Sequence, residues 1–211
     1  MNDHIILVAL FIGLLTLSSC ASLTGFEEGR VLGEGNKEFD VSLNFTRAPD
    51  LFDDDSLNDL QDNLIFPNID VSFKYGINDK IDIGVKGSTN SNYSFLSKYQ
   101  LVGDNNSKFA LSPGLEIGTI LGHAYTFGIP VYTSYYPNES ITINFTSRFT
   151  FQTLNSIENI NAGYLGGNFG VLFGQKNKFG FDIGYYSVGV EGISRTLFTV
   201  GVGGKFPIGD N

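Results

Sequence analysis

The constraint that dominates this chain is a two-residue beat. From Lys37 to Thr46 it reads K-E-F-D-V-S-L-N-F-T, so Phe39, Val41, Leu43 and Phe45 alternate with Asp40, Ser42, Asn44 and Thr46. A strand sends successive side chains to opposite faces, which gives this segment one apolar face and one polar face. The beat recurs almost to the last residue. Helical periodicity is confined to the N-terminal run and one loop, so the fold class is all-β.

Ten segments carry the beat. After the first, Ile69, Val71, Phe73 and Tyr75 alternate with Asp70, Ser72 and Lys74, and Gly76-Ile77-Asn78-Asp79 turns the chain. Ile81, Ile83 and Val85 then oppose Asp82, Gly84 and Lys86, and Tyr93, Phe95, Tyr99 and Leu101 oppose Ser94, Leu96, Lys98 and Gln100. A fifth segment sets Phe109, Leu111, Leu115 and Ile117 against Gly114, Glu116 and Gly118; a sixth carries Tyr125, Phe127, Ile129, Val131 and Tyr135. The seventh sets Ile141, Ile143, Phe145, Phe149 and Phe151 against Thr142, Asn144, Thr146, Arg148 and Thr150. The last three present Leu165, Phe169, Val171 and Phe173; then Phe179, Phe181, Ile183 and Tyr185; then Phe198, Val200, Val202 and Phe206. The beat is weakest in segments four and eight, so eight or twelve strands stay open.

Alternation alone fits both a soluble barrel with a greasy interior and a membrane barrel with a greasy exterior. Composition favours the second. Only 17% of residues are charged, against about 25% in soluble domains. The 26 glycines suit a narrow barrel interior, and a formal charge of -9 argues against a nucleic-acid surface. The polar faces balance Asp40, Asp70, Asp82, Glu116 and Asp182 against Lys74, Lys86, Lys98, Arg148 and Lys205. Such a set can pair inside a lumen, as buried charges must. Tyr75, Phe109, Tyr135, Tyr136, Phe173, Phe179 and Phe206 cluster with Phe39 at one level, as an interfacial girdle would. The turns after strands two, four, six and eight read as short, and the connections after one and seven as longer.

In this pattern the segment from residue 37 to 211 resembles the bacterial outer-membrane β-barrel superfamily. The resemblance implies a ten-stranded antiparallel up-and-down transmembrane barrel with its first strand starting on the periplasmic side. It covers pattern and no specific motif, so it carries location and topology but no activity.

The N-terminus reads as a targeting segment. Ile5 to Leu17 is an apolar run too short to span a bilayer and suited to a signal-peptide core. Leu17-Ser18-Ser19-Cys20 resembles the bacterial lipobox, although Met1-Asn2-Asp3-His4 lacks the usual Lys or Arg. That resemblance implies a signal helix over 1–19, cleavage before Cys20, acylation of Cys20 and an anchor in the outer membrane, with Ala21 rather than an aspartate after the cysteine. Residues 20–36 then read as a lipidated N-terminus and an extended periplasmic linker, dotted with Gly and carrying Glu27, Glu28 and Glu34.

Few residues suggest chemistry. Asp53, Asp55 and Asp59 lie in an acidic loop that could offer oxygens to a divalent cation, but the loop lacks the Gly and terminal Glu of a helix-loop-helix calcium site. A solvated acidic loop is the expectation, and no metal or other cofactor is assigned. Ser56 could cap a short helix there, with Leu57, Leu60 and Leu64 on one face. The omptins, outer-membrane proteases, resemble the chain in strand count, but His123 has no matching aspartate partner. Gly33-Glu34-Gly35 and Gly201-Val202-Gly203-Gly204 precede no helix and are not phosphate loops. The expectation is a non-enzymatic barrel with a structural or surface-interaction role, contacting outer-membrane lipid and an extracellular ligand or solute that the sequence does not name. Two alternatives are a narrow passive channel for small solutes and a soluble, lipocalin-like ligand-binding barrel on a lipid tether.

Overall fold

The computed structural model describes residues 23, 26–47, 65–120, 124–154, 160–190 and 193–209. Ten strands follow one another: β1 Lys37–Arg47, β2 Ile65–Asn78, β3 Ile81–Ser88, β4 Asn92–Tyr99, β5 Phe109–Ile120, β6 Ala124–Asn138, β7 Ile141–Leu154, β8 Ile160–Phe173, β9 Lys178–Val190 and β10 Ile193–Ile208. Each pairs antiparallel with its neighbours in sequence, and β1 pairs with β10, so the sheet closes on itself. The closing register runs from Lys37 opposite Ile208 to Arg47 opposite Phe198. Closure leaves no sheet edge, which a bilayer demands because no water there can satisfy a free edge.

The orientation of the faces decides between the two barrels. Phe145 is 51% exposed on the outside, while Asp82 is 2% exposed within. Phe73, Phe127, Phe149, Phe169, Phe181 and Val200 also face outward, and Asn144, Thr146, Arg148, Asn168 and Asp182 are buried inside. An apolar exterior around a polar interior is the arrangement of a transmembrane barrel. It overturns the soluble ligand-binding alternative, which needs the reverse.

Three expectations change. Tyr136 does not join the girdle: its position is one step out of phase with Tyr135, and its ring is buried in the lumen. The contrast in loop lengths rests on one connection, 48–64; the connection at 155–159 is short, and 100–108 is the longest at the opposite end. There Leu101 and Val102 both donate to the carbonyl of Leu111, folding the connection back onto β5. The long connection marks the external end by the habit of such barrels.

The third change is the largest. Of the linker expected in the periplasm over 20–36, Leu23 and residues 26–36 lie inside the barrel. At the short-turn end Gly35 donates to the carbonyl of Gly76, and the amide of Gly76 donates to the carbonyl of Asn36. At the other extreme Leu23 packs in an apolar cluster with Ala162, Tyr164, Tyr186, Val188 and Leu197, in the half of the wall nearest the long connection. The segment therefore runs down the lumen against the direction of β1. The wall supplies polar partners all along it, which an extended chain with no strand neighbour requires.

Candidate functional site: a lumen filled by the N-terminal segment

The segment is anchored rung by rung. The amide of Leu32 donates to both carboxylate oxygens of Asp82 at 3.0 Å. The amide of Val31 meets Gln100 Oε1 at 2.9 Å, and the amide of Gly29 meets Ser134 Oγ at 2.7 Å. Ser112 donates its hydroxyl to the carbonyl of Gly29. Lys98 caps the carbonyls of Glu28 and Arg30 at 3.0 and 2.7 Å. Arg30 stacks on the ring of Tyr136, 3.6 Å from its centroid, and donates to the carbonyl of Ser107.

Gly29 is required by the fit. A Cβ there would stand 2.5 Å from the carbonyl oxygen of Ala110 and 2.9 Å from its carbon, both backbone atoms that cannot give way. At the exit, Gly33 has φ of +83°, a left-handed backbone that glycine adopts freely.

The charged side chains form two groups. In the short-turn half, Lys74 meets Glu27 at 2.6 Å, Glu38 at 3.0 Å and Asp40 at 2.5 Å. Lys98 lies 3.3 Å from Asp82 and 3.9 Å from Glu27. Lys205 bridges Glu28 at 3.4 Å and Glu38 at 3.1 Å, and Lys178 meets Glu28 at 2.7 Å. The second group is smaller: Arg148 meets Glu116 at 3.2 Å, Lys86 meets it at 4.0 Å, and Tyr132 donates to it at 3.2 Å.

Every charged lumen residue expected from the sequence faces inward. The structure brings together Asp40, Lys74, Asp82, Lys98 and Lys205 in one group and Lys86, Glu116 and Arg148 in the other. Asp70 and Asp182 are held by amides: Asn44 and Asn68 donate to Asp70 at 2.9 and 2.8 Å, and Asn168 donates to Asp182 at 2.8 Å. Asn168 in turn accepts from the hydroxyl of Tyr186. Cys20, His123 and the acidic loop with Asp53, Asp55 and Asp59 lie outside the described residues.

Three lumen glutamates and one lysine escaped the sequence reading. Glu38 and Lys178 share the parity of Asp40 and Asp182, so strict alternation would have placed them in the lumen. Glu27 and Glu28 sit in a stretch with no period, and nothing local distinguishes them from solvated acids.

Between the segment and the wall, Phe26, Glu27, Asp40, Ser42, Asp70, Ser72, Lys86, Leu96, Glu116 and Arg148 enclose a cavity of about 30 Å³. That is room for a water or two.

No known protein family matches the chain, and no curated protein sequence matches it. Among solved structures the chain is similar to the outer-membrane protease OmpT of Escherichia coli, at 11% identity and a TM-score of 0.45, over 90% of this chain and 100% of that one. It is similar to an outer-membrane channel of Pseudomonas putida, at 8% identity and a TM-score of 0.49, over 89% and 100% of the two chains. It is also similar to Ail, the attachment invasion locus protein of Yersinia pestis, at 10% identity and a TM-score of 0.33, over 82% and 99%. These neighbours are bacterial outer-membrane β-barrels, and this chain is a closed ten-stranded antiparallel barrel whose own apolar belt and ionic lumen fit it to a bilayer.

Proposed function

We propose that this protein is a non-enzymatic outer-membrane barrel whose lumen is closed by its own N-terminal segment, so that its role is structural or exerted through its external surface. The observation that carries this reading is the seating of Glu27 and Glu28 among Lys74, Lys98, Lys178 and Lys205. A buried lysine left without its partner is strongly unfavourable, so withdrawing the segment costs several kcal/mol. The charged side chains are engaged in holding a backbone rather than poised around an open cleft, which supports a role other than catalysis.

The test is single-channel recording. The purified full-length protein in a planar bilayer is expected to show no steady conductance. Stable ohmic steps at low voltage would overturn the closed barrel and favour the narrow-channel reading.

The lipobox-like Leu17-Ser18-Ser19-Cys20 supports a lipid on Cys20. The direction of the segment changes where such an anchor belongs. Three residues span at most about 10 Å, and Leu23 lies in the half of the barrel nearest the long connection. The anchor therefore belongs at the external rim, not beside the start of β1 in the inner leaflet. Metabolic labelling with palmitate is expected to mark the protein and to fail for Cys20→Ser.

A further inference from the structure

One lysine in the lumen depends on the segment for its counter-charge. Among the described residues, Glu28 is the carboxylate that Lys178 meets. Lys178 Nζ donates to both oxygens of Glu28, at 2.9 and 2.7 Å, and to Thr142 Oγ1 at 3.3 Å. Lys205 approaches the same Oε1 at 3.4 Å. Both oxygens of one carboxylate are thus engaged by a pair of ammonium groups on the wall, and Glu28 itself belongs to a segment that makes no strand pairing. Lys74, Lys98 and Lys205 differ from Lys178 in that β1 and β3 also offer them Glu38, Asp40 or Asp82.

We propose that Lys178 and Lys205 form a carboxylate-binding site in the lumen, that Glu28 occupies it as an internal ligand, and that a small acidic solute competes for it and releases the segment. The proposal rests on the closed-barrel reading and adds to it the class of molecule that opens the barrel. The chemistry is direct. Lys178 needs a counter-anion whenever Glu28 leaves, while Lys205 keeps Glu38, and the uncompensated Lys178 resists that departure. A solute carboxylate supplies the same two oxygens that Glu28 supplies. Chloride can supply one charge at the position of Glu28 Oε1, but it offers Lys178 no second oxygen in place of Oε2. With the segment displaced, Arg30 leaves its stack on Tyr136 as well, so the path past Lys178 is lined by the positive residue that the segment had neutralised.

The full-length protein, folded in detergent, tests the site by chemical rescue. Glu28→Ala is expected to lower Tm by about 5 °C or more. Sodium acetate is expected to return at least half of that loss with a saturating dose response, and sodium chloride at equal ionic strength to return little. The double variant Glu28→Ala with Lys178→Gln is expected to lose the acetate response. Equal responses to acetate and chloride, or an acetate response that persists without Lys178, would overturn the site. If Glu28→Ala does not fold, as read by its heat-dependent mobility on a gel, the wild type carries the test in a planar bilayer. Glutarate is then expected to elicit conductance that equal ionic strength of chloride does not, and silence at every glutarate concentration would overturn the release. Steady conductance with no acid present would instead sink the closed-barrel reading, which keeps the two failures apart.

Discussion

At the scale of single residues, the account turns on which side of the wall each side chain occupies. Phe149 and Arg148 are neighbours in β7, yet one faces lipid and the other pairs with Glu116 in the lumen. A one-residue slip would exchange them, and the energies are lopsided enough to fix the register. Placing a lysine at Phe149, near the middle of β7, should cost about 2–4 kcal/mol, because a charge there meets hydrocarbon. Urea titration of the protein refolded into lipid vesicles measures this. A Phe149→Lys variant as stable as the wild type would put Phe149 outside the hydrocarbon. The parity rule was legible at this scale wherever it was applied strictly. Tyr136, Glu38 and Lys178 all follow their phase into the lumen, whatever their side-chain type suggests.

Strands were the most legible elements, because each buries nothing but its own alternation. The ten expected segments correspond to the ten observed strands, including β4 and β8, whose beat is weak because Leu96 and Tyr164 are apolar residues at inward positions. The N-terminal segment was not legible, for a physical reason. Its conformation is set by partners from β3, β4, β5 and β6 that are distant in sequence, and an extended chain held this way needs no period of its own. Charge counting did not reveal it either: the wall's own acids and bases nearly balance, so no deficit called for Glu27 and Glu28. Among the strand seams, β5 with β6 is distinctive. Pro113 and Pro130 lie on it, and pairing lapses between Pro113↔Val131 and Glu116↔Gly128. A proline offers the ladder no donor. Amides of residues 114–116 and of 128, 129 and 131 should therefore exchange with deuterium faster than those of the β7–β8 seam, which pairs without interruption. Uniform protection across both seams would contradict this.

For the whole molecule, the segment couples sealing to topology. It runs from Leu23, in the half with the long connection, toward the short turns, and that direction predicts an external exit for the chain before Leu23. An epitope inserted after Ser22 should be reached by antibody on intact cells, as should one inserted in residues 48–64, while one in the 174–177 turn should need a permeabilised outer membrane. Detection of the Ser22 epitope only after permeabilisation would reverse the direction of threading. This topology could not be read from the sequence, where a lipobox-like cysteine close before β1 implies an anchor at the periplasmic side.

Everything above depends on residues 26–36 lying inside the barrel, and disulfide trapping tests that placement most directly. Val31 and Gln100 are both buried, and the amide of Val31 sits 2.9 Å from the Gln100 side chain. With Val31→Cys and Gln100→Cys in the full-length protein, mild oxidation in native membranes should join the two thiols, and the cross-linked peptide should appear by mass spectrometry. Two free thiols that both react with a soluble maleimide after the same treatment would place the segment outside the lumen and contradict the account.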